Sequence, residues 1–102
     1  LRHEYDYFDG EWHVVTLTCQ YNEEENTTDA KLYSDGVLRD SITFSGKPYT
    51  DPSFSVRVGR WSAQFFNGFI GEILVYDLVF AEQQISKVID NPMNPPTDGL
   101  IL

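Results

Sequence analysis

Seven consecutive residues, Glu23-Glu24-Glu25-Asn26-Thr27-Thr28-Asp29, form the densest run of oxygen donors in the chain. Calcium takes roughly six to eight oxygens from loops of this composition. Glu23, Glu24, Glu25 and Asp29 are the carboxylates such a site would use. The plainer and preferred reading of the run is a solvated acidic loop. Asn26-Thr27-Thr28 is also an acceptor sequence for N-glycosylation, which makes Asn26 a candidate attachment point. A second group is aromatic. Tyr49 and Asp51 share a loop with Pro52, and Trp61, Phe65 and Phe66 fill the next connection. Exposed rings beside a carboxylate suit a sugar: the rings stack on its apolar face and the carboxylate accepts from its hydroxyls. Rings tucked under an edge of the fold are the favoured alternative, and Trp12 stands between the same two readings. His13 has no second ligand at zinc spacing and reads as a strand residue facing solvent or a polar neighbour.

No catalytic arrangement competes with these binding features. The chain has no Gly-x-Ser-x-Gly elbow, no glycine-rich phosphate loop and no metal-spaced histidine set. With 16 carboxylates against seven Lys and Arg, the net charge is -9. Nucleic acid and anionic membrane surfaces need a basic partner and are disfavoured. The apolar runs are too short to cross a bilayer as a helix, so this segment does not insert into one. Cys19 is the single cysteine. It is expected as a buried strand thiol, the alternative being half of a bridge to a segment outside this sequence.

The elements that must position these residues are strands. At 102 residues the chain makes at most one domain. An aromatic fraction of 15% favours sheet over helix. Val15, Leu17, Cys19 and Tyr21 share one parity while Thr16, Thr18 and Gln20 share the other, the pattern of a half-buried strand. A polar loop is expected over 22–29, then a strand over 30–34. Asp35-Gly36 fits a two-residue hairpin turn, with the return strand over 37–44. Phe54, Val56 and Val58 alternate with Ser55 and Arg57 as another strand. The run 69–76 is apolar on both parities and is expected to be covered on both faces. Glu82 to Asp90 carries a stripe of Ile85, Val88 and Ile89 and predicts one short helix. Pro92, Pro95 and Pro96 then predict a linker over 92–102 or the start of a next segment, Leu100-Ile101-Leu102 suggesting a further strand beginning.

In this order the motifs resemble a known family. Gly10-Glu11-Trp12-His13, Leu32-Tyr33-Ser34-Asp35-Gly36, Val58-Gly59, Asn67-Gly68-Phe69-Ile70-Gly71-Glu72-Ile73 and Glu82-Gln83-Gln84-Ile85 are similar to the later strands of a laminin G-like domain. That family belongs to the concanavalin A-like lectin and glucanase superfamily. The resemblance implies an all-β antiparallel sandwich of jelly-roll type, with residues 1–91 as its C-terminal part. The front sheet's early strands are absent, so the rest of the sandwich is expected from a segment upstream or from another chain. One departure is Ala81, where the family commonly has a capping Ser. Superfamily glycosidases carry a Glu-x-Asp-x-x-Glu arrangement on one strand, and no strand here has it. The resemblance therefore implies a non-catalytic module of an extracellular or surface protein, binding carbohydrate or protein through rim loops, with calcium a possible cofactor. The alternative is a building block of a large assembly that binds no glycan. An accessory domain of a glycosidase or protease is a distant third.

Overall fold

The structure, a computed structural model, describes residues 9–48, 58, 60, 61, 63–91 and 94–101, and of Trp61 the backbone only. Tyr49, Asp51 and most of the strand expected around Phe54 and Val56 lie outside these residues. The central element is an antiparallel meander of β1 (Val15–Asn22), β2 (Thr27–Ser34) and β3 (Val37–Ser45). A separate short hairpin joins β4 (Arg60–Trp61) to β5 (Gln64–Phe65), and α1 (Glu82–Asp90) follows. A three-stranded antiparallel sheet with one short helix is consistent with part of the expected all-β sandwich.

Two turns set the register of the meander. Ser34 faces Val37, so Asp35 and Gly36 alone close the second hairpin. Their φ values of 51° and 82° are both positive, as a type I′ turn requires. Asp35 tolerates that conformation because its short carboxylate bonds locally, accepting the Val14 N–H at 2.9 Å. Beyond the turn, Tyr33 faces Leu38 but Leu32 faces Asp40, so Arg39 is the extra residue of a bulge.

The first hairpin corrects the expected loop over 22–29. Asn22 pairs with Thr27, and only Glu23 to Asn26 remain as the turn. Thr27 and Thr28 are β-branched and extend the strand instead of the loop. The Thr28 hydroxyl donates to the Gly46 carbonyl at 2.7 Å, which fastens the start of β2 to the end of β3. In the turn, Asn22 Oδ1 accepts the N–H of Glu24 at 3.0 Å, and Asn26 adopts φ 52°.

Register also assigns the two faces, since side chains alternate along each strand. One face carries Val15, Leu17, Cys19 and Tyr21 beside Leu32 and Ala30, with Ile42 and Phe44 beyond. The other carries Thr16, Thr18 and Gln20 beside Tyr33, Lys31 and Asp29, with Ser41 and Thr43 beyond. The burial expected for β1 is inverted. Val15 is 61% exposed and Leu17 60%, whereas Thr16 and Thr18 are half-buried. Cys19 is an exposed free thiol, not a buried one. The reason is what lies on each side. Residues 79–82, leading into α1, lie beside the polar face, while Val15, Leu17, Ile42 and Val37 stay open to solvent.

Among the described residues the buried ones are few: Ala30, Tyr33 and Ile85 among the hydrophobics, Thr28 and Ser34 among the polar ones. Ile85 anchors α1, and Ile89 reaches the hairpin turn so closely that a Cβ on Gly36 would sit 3.2 Å from its Cδ1. The strand expected over 69–76 is absent. That segment is irregular and exposed, with Phe69 at 87%, because no strand of the described residues runs beside it. It makes one antiparallel bridge, Tyr76 to Leu100. Residues 96–101 run back beside 75–77. Ile101 N–H donates to Val75 O at 2.7 Å, and Tyr76 hydroxyl donates to Pro96 O at 2.7 Å.

Candidate functional site

The acidic residues do not converge. Glu23, Glu24 and Glu25 sit on the exposed turn, whereas Asp29 lies in β2 and accepts the Thr43 hydroxyl at 2.6 Å. Asn22 Oδ1 is occupied by the backbone of the turn. Among the described residues no group of three or more His, Cys, Asp or Glu side chains is gathered to hold a metal ion. Strand pairing carries Asp29 away from the turn, so the four carboxylates named from sequence as candidate calcium ligands are not brought together. Asn26 is exposed on the same turn, and its Oδ1 accepts the Tyr21 hydroxyl at 2.7 Å.

The aromatic residues fare differently. The hairpin β4–β5 pairs Arg60 with Phe65 and Trp61 with Gln64. Phe65 is 71% exposed, and the Arg60 guanidinium stands 5.3 Å from its ring centroid. A cation over a ring face is held by the ring quadrupole and presents donors beside an apolar plane. Phe66 follows, exposed as well, and its ring lies against Gly68, where a Cβ would come within 3.0 Å of Cε1. Of the rings expected to tuck under an edge, Phe65 and Phe66 are open to solvent. Trp12 is 72% exposed and lies across Gly71, with ring carbon Cζ3 3.4 Å from where a Cβ would stand.

His13 is the residue whose setting the sequence did not reveal. Its Nδ1 lies 2.8 Å from Asp35 Oδ2, and its Nε2 lies 2.9 Å from Asp9 Oδ2. Only the protonated imidazole can donate at both nitrogens. The hydrogen bond to Asp35, then that to Asp9, raises the His13 pKa above its ordinary 6.5. The reciprocal bonds from His13 come first in lowering Asp9 and Asp35 below 3.8, followed by the N–H of Glu11 for Asp9 and of Val14 for Asp35. With both ring nitrogens engaged, His13 is a clasp. It ties the segment entering β1 to the β2–β3 turn, and it is placed neither as a general base nor as a metal ligand. The Asp35-Gly36 pair was legible as turn chemistry; the 22-residue reach from His13 to Asp35 was not.

Residues 2–86 match the laminin G family Laminin_G_3, of the concanavalin A-like lectin/glucanases superfamily. The chain belongs to this family, whose members are generally non-catalytic and commonly occur in extracellular proteins. No curated protein and no solved structure matches the chain. Membership supports a lectin-like or binding module. Among the described residues no helix is long and apolar enough to cross a membrane.

Proposed function

We propose that this chain is part of a non-catalytic binding module of an extracellular or cell-surface protein, recognising carbohydrate or protein through the aromatic rim around β4–β5. The observation that carries the reading is the Phe65 ring, exposed beneath the Arg60 guanidinium and followed by the exposed Phe66. This pairing offers a stacking plane with hydrogen-bond donors at its border. The test is a glycan array and a panel of purified extracellular-matrix proteins, probed with the chain and with Phe65→Ala. Removal of a stacking ring weakens binding by about tenfold. The melting temperature should stay put, because an exposed ring contributes little to the core. Binding of equal strength by Phe65→Ala would move recognition elsewhere, and no binding to either panel would remove it.

A specific observation favours a second layer of the same reading. The apolar face of β1–β3 is open at Val15, Leu17, Val37, Ile42 and Phe44. Contiguous apolar faces of this kind mark surfaces that pack on a partner. We infer that this face seats the complementary sheet of the sandwich, supplied by another segment of the parent polypeptide or by another chain. The isolated chain should then bind a hydrophobic dye and self-associate. A monomer with cooperative unfolding and no dye binding would defeat this inference while leaving the aromatic rim untouched. If the array is silent and the face is nonetheless sticky, the building-block alternative stands in place of the lectin-like one.

A further inference from the structure

We propose that Asn26 carries an N-linked glycan, and that the glycan is added before the β1–β3 meander closes. The proposal rests on the extracellular placement in the reading above and uses neither the aromatic rim nor the open apolar face. Asn26-Thr27-Thr28 is the one N-glycosylation acceptor sequence in the chain. Folding divides it between two settings: Asn26 lies on the turn after β1, whereas Thr27 and Thr28 open β2.

The asparagine is presented outward. Asn26 is exposed, and its φ of 52° is a left-handed backbone that Asn tolerates better than most residues. Its Oδ1 accepts the Tyr21 hydroxyl at 2.7 Å, while its Nδ2 has no acceptor among the described residues. A substituent on Nδ2 therefore displaces no hydrogen bond of the turn. Asn22 and Thr27 are the last pair of the hairpin, so a glycan on Asn26 stands off the end of the sheet. The hydroxyl two residues on is withheld. Acceptors need Ser or Thr at that position, so the transferring enzyme must reach this side chain as well as the amide. Thr28 is fully buried, and its hydroxyl is committed to the Gly46 carbonyl. Its backbone pairs with Tyr21 on one side and Phe44 on the other. The closed meander thus offers only half of the acceptor sequence, and the open chain offers all of it.

Synthesis supplies the open chain. Thr28 and Gly46 are 18 residues apart, a stretch that takes about 1–4 s to make at about 5–20 residues per second. During that interval only the β1–β2 hairpin can form, and an isolated two-stranded hairpin is marginal in water. Once β3 is present, pairing takes on the order of microseconds. The modification is therefore early. In the transfer, Asn26 Nδ2 bonds to the anomeric carbon of a polyprenyl-diphosphate oligosaccharide. The bond from that carbon to the phosphate oxygen breaks, polyprenyl diphosphate leaves with the electron pair, and an amide proton is released.

The test offers the purified full chain and a synthetic peptide of residues 22–30 to a purified oligosaccharyltransferase with a polyprenyl-diphosphate oligosaccharide. The product is read by intact mass. The peptide should gain a single glycan. The folded chain should gain it more slowly by about tenfold or more, because only locally opened molecules are acceptors. Urea should bring its rate up to that of the peptide in the same urea. Asn26→Asp, which keeps a residue tolerant of the turn's backbone, should gain none. Secreted by a eukaryotic cell, the full chain should emerge with Asn26 occupied. Equal rates for the folded chain and the peptide would overturn the early timing. An inert peptide, or a bare Asn26 on the secreted chain, would overturn the site itself. None of these outcomes bears on the glycan array or the protein panel, so failure here is distinguishable from failure of the binding-module reading.

Discussion

Replacing Ala81 with Ser should stabilise this protein. The first turn of α1 sends the N–H groups of Gln84 and Ile85 to a single acceptor, the Ala81 carbonyl, at 3.0 and 3.1 Å. The Ala81 methyl accepts nothing. The reverse arm is made, since the Ala81 N–H donates to Gln84 Oε1 at 2.8 Å. Half of a reciprocal box is therefore present. At φ -75° and ψ 166° Ala81 already has the extended backbone of an N-cap, so a serine hydroxyl can accept from Gln84 N–H without moving the chain. Ala81 is exposed, and the added oxygen stays hydrated. The gain from such a cap is about 1 kcal/mol. In a domain of this size that raises the melting temperature by about 4–8 °C. Circular dichroism melts of Ala81→Ser, Gln84→Ala and the double variant would measure it. Gln84→Ala should cost about 0.5–1.5 kcal/mol by removing the reverse arm. Amide exchange at Gln84 should slow in Ala81→Ser. An unchanged melting temperature with Gln84 exchanging as before would refute the argument that this helix starts on an unfilled cap.

The His13 clasp predicts a bounded pH window. His13 has a raised pKa, so its contribution is complete below 6.5 and fades as pH rises through its higher folded value. Asp9 and Asp35 have lowered pKa values, so theirs is complete above 3.8 and fades as pH falls through the lower folded values. Melting temperature against pH should thus decline on the alkaline side above 6.5, and His13→Gln should abolish that decline; a parallel decline in the variant would assign it to other groups. Gly36→Ala should cost about 1–2 kcal/mol of stability, seen as a lowered urea midpoint, because a left-handed backbone is unfavourable for a residue with a Cβ. An unchanged midpoint would mean the turn had re-formed with another geometry. Thr28→Val keeps the shape of a fully buried side chain but strands the Gly46 carbonyl, so chemical denaturation should show a loss of about 1–3 kcal/mol. No loss would mean that carbonyl finds another donor.

Local signals were read well and long-range ones poorly. Asp35-Gly36 announced its turn because only certain residues accept positive φ in sequence. The helix over 82–90 announced itself through Ile85, Val88 and Ile89, and its bounds match those observed. The first turn was misjudged at Thr27 and Thr28, whose polarity suggested loop while their branching and the Thr28–Gly46 bond made strand. The parity of β1 was visible, but parity names two faces without saying which one is covered. That depends on where residues 79–82 run, and nothing in Val15 to Gln20 encodes it. His13 was equally opaque, because its partners lie on opposite sides of it in sequence and meet only once β1 and β2 have paired. At the candidate sites, Phe65 and Phe66 could be named from composition.

The inverted burial of β1 and the missing strand over 69–76 have one physical cause. A strand apolar on both parities is stable only between two layers, and an apolar sheet face is stable only against one. Phe69, Ile70, Ile73 and Val75 are exposed for the same reason as Val15 and Leu17: no second sheet of the described residues lies against either set. Fully burying one such side chain is worth about 1.5–3 kcal/mol. Several of them together equal the whole net stability of a small domain, about 5–15 kcal/mol. A partner sheet would therefore do more than cover a surface. It would give residues 69–76 a neighbour to pair with and would convert an irregular segment into a strand. Hydrogen exchange across Phe69 to Tyr76 follows directly from this reasoning. It should be fast in the chain alone and slow when the complementary sheet is supplied, and fast exchange in both states would mean that the two exposed sets have separate causes.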